Sequence, residues 1–243
     1  MYTTYRKYGK TIEITQIEKE PSKIRTYRPR KRRIIYGARR PDNIVRTRKI
    51  CVWRVSSALN EMGRPLLVTL TFKGDASDAS FANDSLRAFQ VRLRSAYPKA
   101  QSLFVPELSP RGRIHFHGLL FNVPLSLGDT REGGRITAYG EERKKRILSK
   151  LWGEGFVDAI KTDGSPKLVY YITKYITKGA GEILFNAMRI LRISHGFPNC
   201  IYLSGDIAKM IAKDLASRKQ PIKEWEGDNI FLGKISRKTY LQD

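Results

Sequence analysis

Cysteine is scarce in this 243-residue chain: Cys51 and Cys200 are the only two, and neither belongs to a Cys-x-x-Cys pair. That excludes a disulfide framework and a thiolate metal cage, and it suits a reducing compartment. No stretch reaches the roughly eighteen apolar residues that a membrane span needs. No apolar segment follows the first basic residues, so no secretory signal is expected and the chain is expected to be soluble and cytoplasmic. A GxxxxGK[ST] phosphate loop is missing, as is any repeat beyond a local doubling of Tyr-Ile-Thr-Lys. Acidic residues are few, 23 against 46 lysines and arginines, and the formal charge of +23 points to a polyanionic partner.

The excess is uneven. Residues 1 to 50 hold 16 basic and 4 acidic side chains, a net +12. Arg28, Arg30, Lys31, Arg32 and Arg33, with Arg39 and Arg40, form a run suited to phosphate contacts, and Tyr27 and Tyr36 among them could stack on bases. A solvated arm with no such role has the same composition. The length allows one sizeable domain or two small ones. The division expected is a basic arm over 1–48, possessing some order of its own, a core over 49–180, and a helical C-terminal extension over 181–243 packed on that core.

Hydrophobic periodicity outlines the core. Thr11 to Ile17 gives a weak strand signal. Val52, Val55, Leu59 and Met62 fall at helical spacing between Pro41-Asp42-Asn43 and Gly63-Arg64-Pro65. Leu66 to Phe72 is a β-prone run, and Leu86, Phe89, Leu93 and Tyr97 mark a second amphipathic helix. Leu103 to Leu108 and Arg113 to Phe121 read as two strands joined by Ser109-Pro110-Arg111-Gly112, with glycine closing a three-residue hairpin loop. Further helices are expected at Glu141 to Trp152, Ser165 to Lys178 (stopped by Gly179), Glu182 to Arg192 and Ser204 to Ser217, with a strand at Phe156 to Lys161. The order of elements and the hairpin imply an α+β fold, a central antiparallel sheet with flanking helices.

Two segments carry chemistry. His115 and His117, two of only three histidines, alternate with Ile114, Phe116 and Gly118 on one strand, so both imidazoles face the same side. Counting back through the hairpin sets Glu107 opposite His115 and Val105 opposite His117; a loop one residue longer would turn Glu107 to the other face. Two imidazoles and a carboxylate suit Mg²⁺ or Mn²⁺ acting on a phosphate oxygen, and the set also admits zinc. A His-x-His pair is structural about as often as it is a ligand pair. On the helix after Ser165, Tyr171, Lys174, Tyr175 and Lys178 share one stripe, beside an apolar stripe of Leu168, Ile172 and Ile176. A phenol, with a pKa of about 10, needs a nearby cation to become a nucleophile at neutral pH, and each Tyr-x-x-Lys unit supplies one.

Taken together these residues resemble the HUH endonucleases, the rolling-circle replication initiators. Thr69-Leu70-Thr71-Phe72 looks like the first motif of that superfamily, His115-Phe116-His117-Gly118-Leu119 like the second, and Tyr171-x-x-Lys174-Tyr175-x-x-Lys178 like the third. The doubled tyrosine is similar to the two-tyrosine initiators of microviruses, small single-stranded DNA phages. The resemblance covers residues 64 to 180. It implies an HUH endonuclease-like sheet and metal binding by Glu107, His115 and His117 with Mg²⁺ or Mn²⁺. It also implies attack by Tyr171 or Tyr175 on single-stranded DNA or an extruded origin hairpin, leaving a 5′-phosphotyrosine and a free 3′-hydroxyl. Lys174 and Lys178 would stabilise phenolate and phosphate charge; Arg111 and Arg113 would help the basic arm hold DNA. Without a phosphate loop, a host helicase would open the strands and a host polymerase extend them, in the bacterial cytoplasm if the chain is phage-encoded. A cysteine-rich segment common ahead of the first motif is reduced here to Cys51. Two alternatives share the residues: a tyrosine transposase or plasmid relaxase of the same superfamily, and a basic nucleic-acid-binding protein without catalysis.

Overall fold

The structure is a computed structural model that describes residues 1–21, 41–74, 77–128, 147–178 and 188–242, with the backbone alone at 41, 42, 177 and 178. In chain order the elements are β1 (Tyr2–Tyr8), β2 (Thr11–Ile17), α1 (Pro41–Met62), β3 (Leu66–Phe72), α2 (Ala79–Ala96), β4 (Gln101–Leu108), β5 (Ile114–Phe121), β6 (Gly155–Lys161), α3 (Lys167–Lys178), β7 (Arg192–Ile193), β8 (Ile201–Ser204), α4 (Asp206–Arg218), β9 (Lys223–Asn229) and β10 (Gly233–Leu241). The class is α+β, as expected. Among the described residues no helix is long and apolar enough to cross a membrane.

The chain divides into two units: a central one, residues 35–198, and a terminal one made of 1–34 and 199–243. The central sheet has the order β6-β3-β5-β4-β7, with every pairing antiparallel. Its strands read as nearly continuous apolar runs because both faces are covered. On one face Leu70, Phe104, Ile114, Phe116 and Leu120 pack with Phe89 of α2 and with Trp152, which ends a helical segment over 147–152. On the other, Leu103, Val105, Leu119 and Phe121 meet Val55 of α1 and Leu168, Ile172 and Ile176 of α3. Asp78 starts α2, its carboxylate accepting from the Ser80 and Phe81 amides, a cap that contributes about 1 kcal/mol. Gly118 lets Phe104 lie across β5, since a Cβ there would run into that ring and the Leu103 carbonyl.

The terminal sheet has the order β8-β1-β2-β10-β9. Helix α4 covers one face, burying Tyr5, Ile12, Ile14 and Tyr240 against Ala208 and Ala212. These elements correct three expectations. Residues 2–17 form two strands of a sheet rather than part of an arm, and 199–242 hold three strands with one helix rather than a helical extension. Arg192, expected at the end of a helix, begins the short strand β7 against Phe104. The remainder of that helix, residues 182–187, together with 141–146, Gly179 and the run Arg28, Arg30, Lys31, Arg32, Arg33, Arg39 and Arg40, lies outside the described residues.

Candidate active site

The hairpin between β4 and β5 sets the site. Gly112 takes φ 74°, the left-handed conformation that glycine adopts without a Cβ clash. The Ser109 amide then donates to the Arg113 carbonyl. That closure produces the expected register: Glu107 opposite His115 and Val105 opposite His117. On the other side of β5, Thr71 of β3 faces His115 and Thr69 faces His117. Directly paired residues share a face, so Thr69, Thr71, Glu107, His115 and His117 all project to the side on which α3 packs.

The histidines are held by hydroxyls. His117 Nδ1 lies 3.2 Å from Thr69 Oγ1 and His115 Nδ1 lies 3.1 Å from Thr71 Oγ1. A hydroxyl both donates and accepts, so each threonine can follow either tautomer while keeping the ring's Nδ1 edge occupied. His117 Nε2 sits 2.5 Å from Glu107 Oε2. Burial holds both histidines below the usual imidazole range, with Glu107 opposing it in each case. A neutral imidazole is the form that can ligate a cation. Among the described residues no three His, Cys, Asp or Glu side chains converge on one point. The expected triad is thus brought together as a His117–Glu107 contact, with His115 turned to Thr71 on the same row.

Helix α3 brings the tyrosines. The Tyr175 ring stacks on His117, centroids 3.8 Å apart and planes within 13°. The Tyr175 hydroxyl donates to the Tyr171 hydroxyl at 2.8 Å. Lys174 Nζ lies 4.2 Å from the Tyr171 ring centre and 5.0 Å from that of Tyr175. The two phenols differ: Tyr171 is 37 % exposed and Tyr175 only 7 %. Burial, then the Tyr171 hydroxyl and the Glu107 charge, pushes the Tyr175 phenol well above its ordinary range. The Lys178 side chain lies outside the described residues.

An open cavity of about 330 Å³ adjoins His115, lined by Thr71, Arg111 and Arg113 among others. Both arginines that sequence assigned to DNA therefore border the histidine row. Residues that sequence reasoning did not assign also share this face: Thr69 and Thr71, and on β6 Asp158 and the exposed Phe156, paired with Thr69 and Thr71 respectively. Alternation within Leu66 to Phe72 does place both threonines on one side. Which strand would lie beside the histidines is a matter of sheet order, which alternation does not carry.

Residues 65–180, just under half of the chain, match the family model of the replication-associated protein ORF2 group. The match supports a rolling-circle replication protein. No curated protein and no solved structure matches the chain.

Proposed function

We propose that the central unit nicks and rejoins single-stranded DNA at a replication origin through a tyrosine-linked intermediate, in the manner of the two-tyrosine HUH initiators. The observation that carries this is the stack of Tyr175 on His117, with Tyr171 hydrogen-bonded to Tyr175: two segments about fifty residues apart in sequence meet as one site. The match to replication-associated proteins over the same residues supports the replication role.

The donor set fits a divalent cation. The threonines occupy the Nδ1 edge of each imidazole, leaving Nε2 as the ligating atom, and Glu107 supplies a hard carboxylate oxygen beside it. His115, His117 and Glu107 would hold Mg²⁺ or Mn²⁺, which when bound polarises a phosphate oxygen. Tyr171, the more exposed phenol, is the first attacking group. Its oxygen forms a bond to the scissile phosphorus as the bond to the 3′ oxygen breaks; the phenol loses its proton and the departing 3′ oxygen gains one. Lys174 supplies the cation that favours the phenolate. Tyr175 remains protonated against His117 until the first phenol is esterified, and then serves a second transfer that joins the released end. Arg111 and Arg113 grip the strand at the cavity, and Phe156 offers a ring to a neighbouring base. The chain's partners would be an origin strand, a host helicase and a host polymerase.

The test is covalent capture. Single-stranded oligonucleotides covering a candidate origin are incubated with protein and Mn²⁺ or chelator, then run on a denaturing gel. A metal-dependent protein–DNA adduct is expected, abolished by Tyr171→Phe and retained by Tyr175→Phe. Absence of any adduct on every origin segment overturns the enzymatic role and leaves a basic DNA-binding protein. Preference for hairpin-ended substrates would move it to the transposase or relaxase branch.

A further inference from the structure

The terminal unit's sheet has a second face, and among the described residues its one helix, α4, packs on the other. Pairing fixes what this face presents. Tyr202 of β8 faces Arg6 of β1, which faces Glu13 of β2. One row along, Thr4 and Thr15 lead to Arg237 of β10 and Trp225 of β9. Each edge strand thus carries an aromatic ring and each adjoining strand an arginine. The Arg6 guanidinium lies 5.1 Å from the Tyr202 ring centre, and that of Arg237 lies 5.7 Å from the Trp225 ring. Four strand spacings, roughly 19 Å, separate the edges.

Trp225 is laid along the sheet rather than standing off it. A Cβ at Gly227, the next residue of β9 on this face, would come within 2.6 Å of the indole Cη2 and Cζ2. Glycine therefore makes the room in which the ring lies, and the ring remains 49 % exposed, as does Tyr202. Half-exposed indole and phenol rings on a folded surface forgo the burial that would stabilise them, and rings flat on a sheet present a π-face that stacks with any base. Arg6, Arg237 and Lys223 face the same way against Glu13, the one carboxylate of this face among the described residues, whose Oε1 accepts from the Tyr8 hydroxyl at 2.9 Å.

We infer that this face binds single-stranded DNA by stacking bases on Trp225 and Tyr202, with Arg6, Arg237 and Lys223 meeting the phosphates. Stacking answers the exposed rings, the cations answer the backbone charge, and the overall +23 favours a polyanion over a protein partner. DNA is chosen over RNA on the strength of the proposed nicking function; the platform itself does not depend on it. It would hold a stretch of the strand without taking part in cleavage.

The experiment uses the full chain carrying Tyr171→Phe and Tyr175→Phe, in chelator, so that binding is read with cleavage silenced. A fluorescein-labelled oligodeoxythymidine of about 15 nucleotides is the probe, within the site sizes usual for stacking grooves. Trp225→Ala is expected to weaken binding by about tenfold, and Tyr202→Ala by a comparable factor. Trp225→Phe is expected to retain affinity within about twofold while losing the DNA-induced quench of tryptophan fluorescence. Arg237→Gln is expected to reduce the log–log salt slope by about one. Circular dichroism checks that each variant is folded. Unchanged affinity in both alanine variants overturns the assignment, as does a quench that survives Trp225→Phe. A clearly tighter complex with an oligouridine of equal length overturns the choice of DNA. Because no cleavage is measured, either failure leaves the nicking proposal standing, and failure of nicking leaves this one standing.

Discussion

Two five-stranded antiparallel sheets occur in this chain, and they are buried differently. The central one has helices on both faces and encloses Trp152, Phe116 and Phe104 entirely; the terminal one is covered by α4 on one face and leaves Trp225 and Tyr202 half in solvent on the other. The central sheet interrupts its apolar cover only where Thr69, Thr71, His115, His117 and Glu107 break through. A rigid surround there fixes polar groups to a few tenths of an ångström, which chemistry on a phosphate requires. A one-sided sheet fixes its rings less narrowly, and base stacking tolerates that.

The largest test of this contrast is stability. Trp152 meets Phe72, Phe89 and Phe116 edge-on, and its Nε1–H donates to the Thr71 carbonyl at 3.1 Å. Trp152→Ala is expected to cost about 3–5 kcal/mol in urea melts. Trp225→Ala should cost below about 1 kcal/mol, since its ring is half in solvent. Equal losses would mean that the open face is not open.

The same difference in burial decides what could be read beforehand. Leu66 to Phe72 and Ile114 to Phe121 are apolar runs because both their faces are covered, and their bounds, the Gly112 hairpin and the Glu107–His115 register were all legible. β9 reads Lys-Glu-Trp-Glu-Gly-Asp-Asn, with no buried residue among its seven, so it offered no periodic apolar signal at all. β1 was hidden by its lysine and arginine, whose long stems cover the sheet while their heads stay wet. At the site, the side of each strand was legible. The tyrosine–histidine stack was not, because it depends on where α3 crosses β4 and β5.

A second pair of substitutions works at intermediate scale. Gly118→Ala drives a methyl into Phe104 between two packed layers and should destabilise by about 1–3 kcal/mol. Gly227→Ala displaces the Trp225 ring on an open face, where relief is available; it should leave the melting midpoint nearly unchanged while weakening oligodeoxythymidine binding.

Thr69→Val tests whether the central sheet orients its ligands as well as burying them. Mn²⁺ affinity, followed by calorimetry or by the Mn²⁺ electron paramagnetic resonance signal, is expected to fall about 10- to 100-fold, with Thr69→Ser restoring most of it. Equal affinity in Thr69→Val and wild type would reduce the hydroxyl to packing.

The smallest effect concerns the cysteines, one in each unit. Cys51 is wholly buried against α3 and the central sheet, and burial pushes its thiol up to about 12. At pH 8 it stays protonated, several units below that value, and the thiolate that reagents attack is absent. Partly exposed Cys200 should be labelled in the native chain, giving one reactive thiol, with the second appearing only on denaturation. Two reactive thiols at pH 8 would show that the central unit opens readily.

The terminal sheet also sets a timetable. β2 pairs with β1 through a two-residue turn but with β10 across more than two hundred residues of intervening chain. At about 5–20 residues per second a ribosome needs roughly 10–40 s to deliver that partner. Until then β2 keeps a bare edge carrying Ile12 and Ile14, the kind of edge that recruits other chains. A chain broken after residue 198 would keep every strand and helix of the central unit and an orphaned hairpin at its front. Loss of the last forty-five residues should therefore appear first as aggregation, not as loss of the active-site residues.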